Sequence, residues 1–536
     1  MTRAVKTIAA HCSIDGVWDQ VISRLHCEGD IELSYCVIGV RPNFEKQLES
    51  FRSLIPRAIF HDGIAAIRGI PALGISVSEP AIDDSMLRAL AEHEPVLMRM
   101  LDRMDPMDCF AYRDRYRHYV RLLRYWSAVL DEVNPGLVLF GSTPHMGWDY
   151  VLYLLAQQRG IKTMLFHFNS ALGRVMWCET IEGFAERVQG AQQLLKETKV
   201  NSEVDSRVNT HLENTRREYA SAIPQYMAML EILNQPEKID RSTKSPLGFV
   251  KSVVWAFIFA ARRFRRLLKR VLPLKHLYPN NYWKHSKMAF EDSYYSAAES
   301  AKVERFKLRK LRQLATCYSD LSVNLSKDDF DTPYIFVALH YQPEASTCPD
   351  GGYFADQMLM IGMLSELLPA GWLLYVKEHS LQLQAKSSKG WQGRDPQFYQ
   401  DLVNYSNVRL VSIDTPSFDL IDRSRAVSTI TGYAGWEALV RGKSAILFGR
   451  PWYGACSGAF MVKTNNDLHM AISKIVNPSN NPMLVDVKEY LIAYFSVSFS
   501  GFCSKWNKEV SGVTDDENID AFCASIREYL KTNLSI

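Results

Sequence analysis

The sequence predicts an α/β protein of two Rossmann-like domains with a helical, basic insertion between them. Three observations predict it. Short apolar runs alternate with helical stretches over residues 1–180 and again over 331–484. Between them, Glu182–Leu233 is polar and helical in composition, with no strand-like run. Residues 241–290 then hold twelve Lys and Arg and no Asp or Glu, which leaves 50 basic against 59 acidic residues elsewhere. A chain of 536 residues suggests about three domains at roughly 100–200 residues each.

The first domain opens with Ile8-Ala9-Ala10, followed by His11 and Asp15. Tyr35–Val40, Ala58–Phe60, Leu137–Phe140 and Thr163–Phe168 are apolar runs of the kind a buried parallel strand gives. Helices are expected at Phe110–Val133, stopped by Asn134-Pro135-Gly136, and at Trp148–Arg159, stopped by Gly160. The insertion spans 181–330. In the second domain, strands are expected at Tyr334–Leu339, Trp372–Lys377, Val408–Ile413, Ala426–Ile430 and Ser444–Phe448. Helices are expected at Tyr353–Leu368, Gln397–Tyr405 and Gly435–Arg441. The tail, 485–536, reads as helical and is expected to pack back on the first domain.

Composition excludes several classes. Hydrophobic residues make up 47% and charged residues 23%, which is globular usage. A net charge of +3 is no whole-chain signature of nucleic-acid binding. The ten cysteines form no CxxC pair, so neither a zinc site nor a disulfide framework is expected, and no metal site is read. Scattered thiols suit a reducing cytoplasm. No secretory signal is read at the start of the sequence. The longest apolar run, Val253–Ala261, is nine residues, short of the ~18 needed to span a bilayer.

Ligands of open α/β sheets bind beyond the carboxyl ends of the strands, so the residues there are the candidates. In the second domain these loops carry His340–Glu344, Lys377-Glu378-His379, Thr431–Glu437 and Gly449–Tyr453. Lys377 and His379, two apart, point to one side and make a phosphate clamp; a solvated lysine and a satisfied histidine are the plainer alternative. At Thr431-Gly432-Tyr433-Ala434-Gly435 a strand enters a helix. Free N–H groups and the helix dipole there face an anion, with the Thr429 and Thr431 hydroxyls as further donors. Glu437, one turn on, is placed to accept from ribose. A helix cap whose glycines serve only the turn explains the same pattern. In the first domain His145, Asp149 and Asp15, in that order, are the candidate general bases for activating a hydroxyl. No HExxH, P-loop, GxSxG or EF-hand pattern occurs. Two Rossmann-like halves without a dinucleotide fingerprint suit a GT-B glycosyltransferase, with the donor on the second domain and the acceptor on the first.

Tyr334–Gln342 with Asp356-Gln357, VKEH at 376–379, TGYAGWEALVRGKSAILFGRPWY at 431–453 and the stretch 134–166 resemble the bacterial capsule polysaccharide biosynthesis family. The best-understood members of that family look like β-Kdo transferases using CMP-Kdo. Two departures stand out: the family's Lys-x-His-Pro is Lys377-Glu378-His379-Ser380 here, and its turn proline is Ser444. The resemblance implies that Lys377 and His379 contact the donor phosphate together with Thr431, Gly432 and Gly435. It places Glu437 on ribose, and Gln342 and Asp356 near the sugar. It implies a nucleotide-sugar substrate, a glycan or lipid-linked acceptor and no tightly bound cofactor. Two other readings stay open: a non-catalytic polysaccharide-assembly protein on the same fold, and a nucleotide-sugar epimerase.

Residues 249–272 read FVKSVVWAFIFAARRFRRLLKRVL. At helical spacing Phe264, Leu267, Leu268 and Val271 share one face. Arg262, Arg263, Arg265, Arg266, Lys269 and Arg270 supply the charge. The pattern describes a helix lying on an anionic membrane surface, at the cytoplasmic face; a basic helix packed on the acidic remainder is the alternative.

Overall fold

The computed structural model describes residues 4–39, 45–73, 75, 82–104, 110–195, 202–217, 297–343, 346–384, 390–477 and 483–534. The first domain runs β1 (Val5–Ser13), α1 (Trp18–Cys27), β2 (Ile31–Gly39), α2 (Glu45–Leu54), β3 (Ile59–Asp62), α3 (Gly63–Ile67) and α4 (Asp84–Ala89). It continues with α5 (Glu94–Arg103), α6 (Tyr112–Val133), β4 (Leu137–Phe140), α7 (Trp148–Gln158), β5 (Lys162–Asn169) and β6 (Arg174–Cys178). Then come α8 (Gly183–Leu195), α9 (Ser202–Arg217) and α10 (Ala297–Leu321).

The second domain holds β7 (Tyr334–Ala338), α11 (Gln357–Leu367), β8 (Leu373–Lys377), α12 (Pro396–Val403), β9 (Val408–Leu410) and α13 (Ser417–Arg423). It ends with β10 (Ala426–Thr429), α14 (Tyr433–Val440), β11 (Ser444–Leu447), β12 (Ala459–Met461) and α15 (Asn465–Val476). The tail is α16 (Met483–Ser496), β13 (Ser498–Ser500), α17 (Lys508–Ser511) and α18 (Asp515–Leu534).

Among the described residues there are two sheets, in the orders β13-β6-β5-β4-β1-β2-β3 and β12-β11-β10-β7-β8-β9. Strands β1 to β5 are parallel, as are all six of the second sheet. Helices cover both faces, which is why β4 (LVLF) and β10 (AVST) are buried at every position. These are two Rossmann-like domains. The long α6 ends on Asn134 in the left-handed region at φ 46°, a conformation asparagine tolerates better than most residues.

Three departures from the sequence reading stand out, the first with a plain physical cause. The expected helix 353–368 breaks into a 3-10 turn, Gly352–Ala355, and α11, because Asp356 turns extended and caps α11 by accepting from Met358 N–H. The expected strand 408–413 stops at Leu410, and Val411 instead bridges Val323. The first sheet carries two antiparallel strands that were not foreseen, β6 on β5 and β13 on β6.

The tail joins the first domain. Phe522, Ile526 and Tyr529 of α18 are buried with Trp18, Phe166 and Trp177. Arg174 clamps β13, donating to Ser498 Oγ at 2.8 Å, Ser500 Oγ at 3.2 Å and Phe495 O at 3.0 Å. The two domains share one core, in which Val96 and Leu97 of α5 pack with Cys348, Trp436, Leu439 and Trp452. The basic segment 249–272, with Arg262, Arg263, Arg265, Arg266, Lys269 and Arg270, lies outside the described residues. Among the described residues no helix is long and apolar enough to cross a membrane.

Candidate functional site

The carboxyl ends of β7, β8 and β10 converge on His340, which is 6% exposed. Its N–H donates to Gln357 Oε1 at 3.0 Å, and its carbonyl accepts from Arg394 Nη2 at 3.0 Å. Its Nε2 accepts from Thr431 N–H at 3.1 Å and lies 3.0 Å from Thr429 Oγ1. That pattern keeps Nε2 unprotonated. Beneath it, the Glu378 carboxylate accepts from Arg394 Nε and the Tyr399 hydroxyl, each at 2.8 Å, and the Glu378 N–H donates to the Tyr318 hydroxyl oxygen at 3.0 Å. Glu378 and Arg394 are a buried ion pair whose remaining donors and acceptors are also used, the condition under which such a pair is tolerated.

Against this cluster lies a cavity of about 180 Å3 between the domains. Arg99 and Arg103 of α5 line one side, and Gln342, Asp356, Gln392 and Arg394 the other. Gln342 is held firmly. Its N–H donates to Gln382 Oε1 at 2.7 Å, its Nε2 to Thr347 Oγ1 at 2.7 Å, and Gly393 has no room for a Cβ against its backbone. Asp356, besides capping α11, pairs with Arg99 at 2.9 Å and so ties the two walls together.

Several expected roles need correction. Thr429 is fully buried, with its hydroxyl against His340, so it offers no donor to a ligand. The Thr431 hydroxyl donates to Ser346 O and its N–H to His340, so neither is the phosphate donor expected of it. Lys377 and His379 do not form a clamp between them: Lys377 Nζ donates to Thr415 O and to Ser417 Oγ at 3.1 Å, while His379 Nδ1 accepts from Leu381 N–H at 3.2 Å. Gly432 caps α14 and sits tight on His340, where a Cβ would lie 2.6 Å from Thr429 Oγ1 and 3.2 Å from the imidazole. Gly435 is needed for packing, because a Cβ there meets the Tyr453 hydroxyl. Tyr453 in turn donates to Gly432 O. Glu437 is 6% exposed; burial pushes its carboxyl up to about 7, and the Arg441 charge opposes this. The half-exposed stretch 431–434 remains the N-terminal face of α14.

In the first domain, Asp149 is fully buried in the first turn of α7. Its oxygens receive the N–H groups of His145 (2.8 Å), Met146 (2.7 Å) and Tyr150 (2.7 Å), and His11 Nε2 lies 2.7 Å away. Burial by itself raises its pKa, but the His11 and His145 contacts prevail and hold it below the ordinary value. A carboxylate so occupied and so buried cannot reach an acceptor, which corrects its reading as a base. His145 is pulled down to about 4 by burial, and its Nδ1 lies 2.6 Å from Thr143 O. Its carbonyl accepts from Arg103, which lines the cavity. Asp15 accepts from Ser13 Oγ at 2.7 Å, and its charge acts on Asp19. His145 and Asp149 are thus brought together, while Asp15 is engaged elsewhere.

The sequence reading placed His340, Glu378 and His11 at strand ends without giving His340 or Glu378 a role, and passed over Arg394. Arg394 had one local signal: it precedes Asp395-Pro396, a cap followed by proline at the first turn of α12.

A family model described as "Capsule polysaccharide biosynthesis protein" matches residues 322–459. No curated protein matches the chain. Among solved structures, KpsC β-Kdo 2,7 transferase of Thermosulfurimonas dismutans is 15% identical, covering 41% of this chain and 62% of its own, with a TM-score of 0.23. The β-Kdo 2,4 transferase of the same KpsC is 15% identical, covering 35% and 54%, with a TM-score of 0.22. The chain therefore spans less than two thirds of the length of either transferase. UDP-GlcNAc 2-epimerase from Neisseria meningitidis is 11% identical, covering 99% and 100%, with a TM-score of 0.19. The matched segment contains His340, Glu378, Arg394 and the α14 turn. It is this segment, residues 322–459, that relates the chain to the capsule polysaccharide biosynthesis family.

Proposed function

We propose that the protein is a glycosyltransferase that moves a sugar from a nucleotide-sugar, CMP-linked, to a surface-polysaccharide or lipid-linked glycan acceptor. The observation that carries this reading is the interdomain cavity, in which polar side chains of both Rossmann-like halves meet. The nucleotide is placed on the second domain, its phosphate at the half-exposed 431–434 turn, where the α14 dipole favours negative charge. His379 stands at the neighbouring strand end and is assigned to the donor phosphate, and Glu437 is assigned to the ribose. Gln342 and Asp356 face the sugar. Arg99 and Arg103 bring guanidinium groups to the cavity, which suits an acidic sugar such as Kdo. Departure of the nucleotide puts charge on its phosphate, and donors fixed in advance stabilise that charge. The nucleotide-sugar is a substrate, with no tightly bound cofactor.

The test is the melting temperature with CMP, UDP and GDP, followed by transfer assays. CMP should stabilise the protein most, by about 2.7 kcal/mol at a hundredfold excess over Kd. His379→Ala should lower transfer by ~10²–10³-fold in a folded protein. Stabilisation by UDP alone, with sugar isomerisation and no transfer, would establish an epimerase. No response to any nucleotide would leave a non-catalytic assembly protein.

A further inference from the structure

The interdomain cavity has the size of one sugar ring. An apolar cavity of about 150 Å3 takes a benzene ring. At about 180 Å3 this one admits a single six-membered ring and has no room for two. Met100, Pro343 and Phe398 give it apolar surface for the face of such a ring.

The charges in its walls are not equally available. Arg394 is buried against Glu378 and donates to His340 O. Arg103 donates to His145 O, and Asp102 pairs with Arg115 at 2.7 Å. Arg99 and Asp356 differ. Each is 42% exposed, and they meet from opposite walls, Nη2 to Oδ2 at 2.9 Å. An ion pair so exposed contributes little to stability and is exchanged at little cost. Asp356 is also a poor partner for a guanidinium. Its Oδ1 accepts from Met358 N–H at 3.2 Å to cap α11, so it cannot turn both oxygens to Arg99. A carboxylate on a ligand can, and two-point pairing is stronger and more specific. The cap keeps Asp356 in place when Arg99 leaves it.

Gln392 lies on the same wall as Asp356. Its amide oxygen is buried and accepts no hydrogen bond. A buried acceptor in this condition is costly, and a ligand hydroxyl satisfies it. The lining thus matches a ligand that carries both an acid group and hydroxyls on one ring.

We propose that the cavity takes one monosaccharide acid, that Arg99 reads its carboxylate by exchanging Asp356 for the ligand, and that Gln392 Oε1 accepts from one of its hydroxyls. The assignment of a sugar rests on the transferase reading, which it deepens. Asp356 sets the threshold for entry: a neutral sugar leaves it on Arg99, and an acidic one displaces it. The nucleotide phosphate is the competing source of negative charge, and the experiment separates the two.

Titration calorimetry on the full chain uses free Kdo, free glucose and CMP as probes. Wild type should bind Kdo and give no heat with glucose. Arg99→Met should weaken Kdo binding by about 10–100-fold and leave CMP binding as it was. Asp356→Asn should tighten Kdo binding, since asparagine still caps α11 while the competing charge is gone; a residue that only braced the wall would weaken it. Gln392→Leu should weaken Kdo binding by about 5–100-fold without lowering the melting temperature of the protein alone, because the fold makes no use of that acceptor. Glucose bound as tightly as Kdo, Kdo binding indifferent to Arg99→Met or to Gln392→Leu, or weaker Kdo binding in Asp356→Asn would each overturn the inference. Weaker CMP binding in Arg99→Met would put the nucleotide phosphate at Arg99 and overturn it as well. A wild type that binds CMP and not Kdo defeats the sugar pocket and leaves the nucleotide reading standing. One that binds Kdo through Arg99 and shows no CMP binding defeats the transferase reading and leaves an acid-binding pocket.

Discussion

Replacing Arg394 by methionine removes one charge from the pair beneath His340 and keeps most of the volume. Glu378 and Arg394 are 0% and 4% exposed at their side chains, so water cannot substitute for the lost guanidinium. Glu378 keeps the Tyr399 hydroxyl and the His379 N–H, but it loses its counter-charge. Breaking a buried pair from one side costs about 3–5 kcal/mol. The bond to His340 O goes as well, which adds about 1 kcal/mol. The assay is urea unfolding, taken on the transition of the second domain because a two-domain chain does not unfold in one step. With an m-value of about 2 kcal/mol/M, the midpoint should fall by about 2–3 M. Adding Glu378→Gln to the same protein should recover most of this, since no unpaired charge remains buried. A shift below about 0.5 M, or a double variant no better than the single one, would refute the argument that the pair is desolvated and mutually dependent.

Two further outcomes are expected. Burial raises Glu437 to about 7, so the folded protein keeps a proton that the unfolded chain releases near its ordinary value; this favours folding below that value and is lost as pH rises through 7, about 3 kcal/mol in all. Glu437→Gln should flatten the decline of melting temperature between pH 5 and about 7.5, while the decline from Asp350, pushed up to about 8 by burial, stays in both proteins; parallel profiles would place the Glu437 carboxyl in water. We also propose, from sequence, that residues 249–272 attach the protein to anionic membranes: wild type should float with anionic liposomes, and Glu at Arg262, Arg263, Arg265 and Arg266 should release it with CMP binding intact, whereas a wild type that never floats refutes the attachment.

The parallel strands were legible because burial on both faces writes them as unbroken apolar runs, and β4 was read to the residue. The strand-end rule brought Gln342 and the α14 turn to notice, and the family resemblance brought Asp356. Three things were not legible. Strand β13 is Ser-Phe-Ser, a polar triplet whose partner lies more than three hundred residues away, and local pattern carries no trace of that pairing. His11 looked like a residue after a strand because nothing in HCSID announces a bulge; only the register against β2 shows it. The hydroxyls of Thr429 and Thr431 looked like ligand donors because sequence cannot tell a donor that faces solvent from one spent on a neighbour, here His340 for Thr429 and the Ser346 carbonyl for Thr431.

The return of the tail has a consequence in time. The first sheet is begun at residue 5 and finished by residues 498–500, with α18 covering Phe166 and Trp177. The ribosome must make the whole second domain before the closing pieces exist. At about 5–20 residues per second, the unfinished sheet waits on the order of 15–60 s, with β6 as a bare edge and an aromatic face uncovered. The second domain, uninterrupted in sequence, folds during that wait. The half translated first is therefore the half completed last.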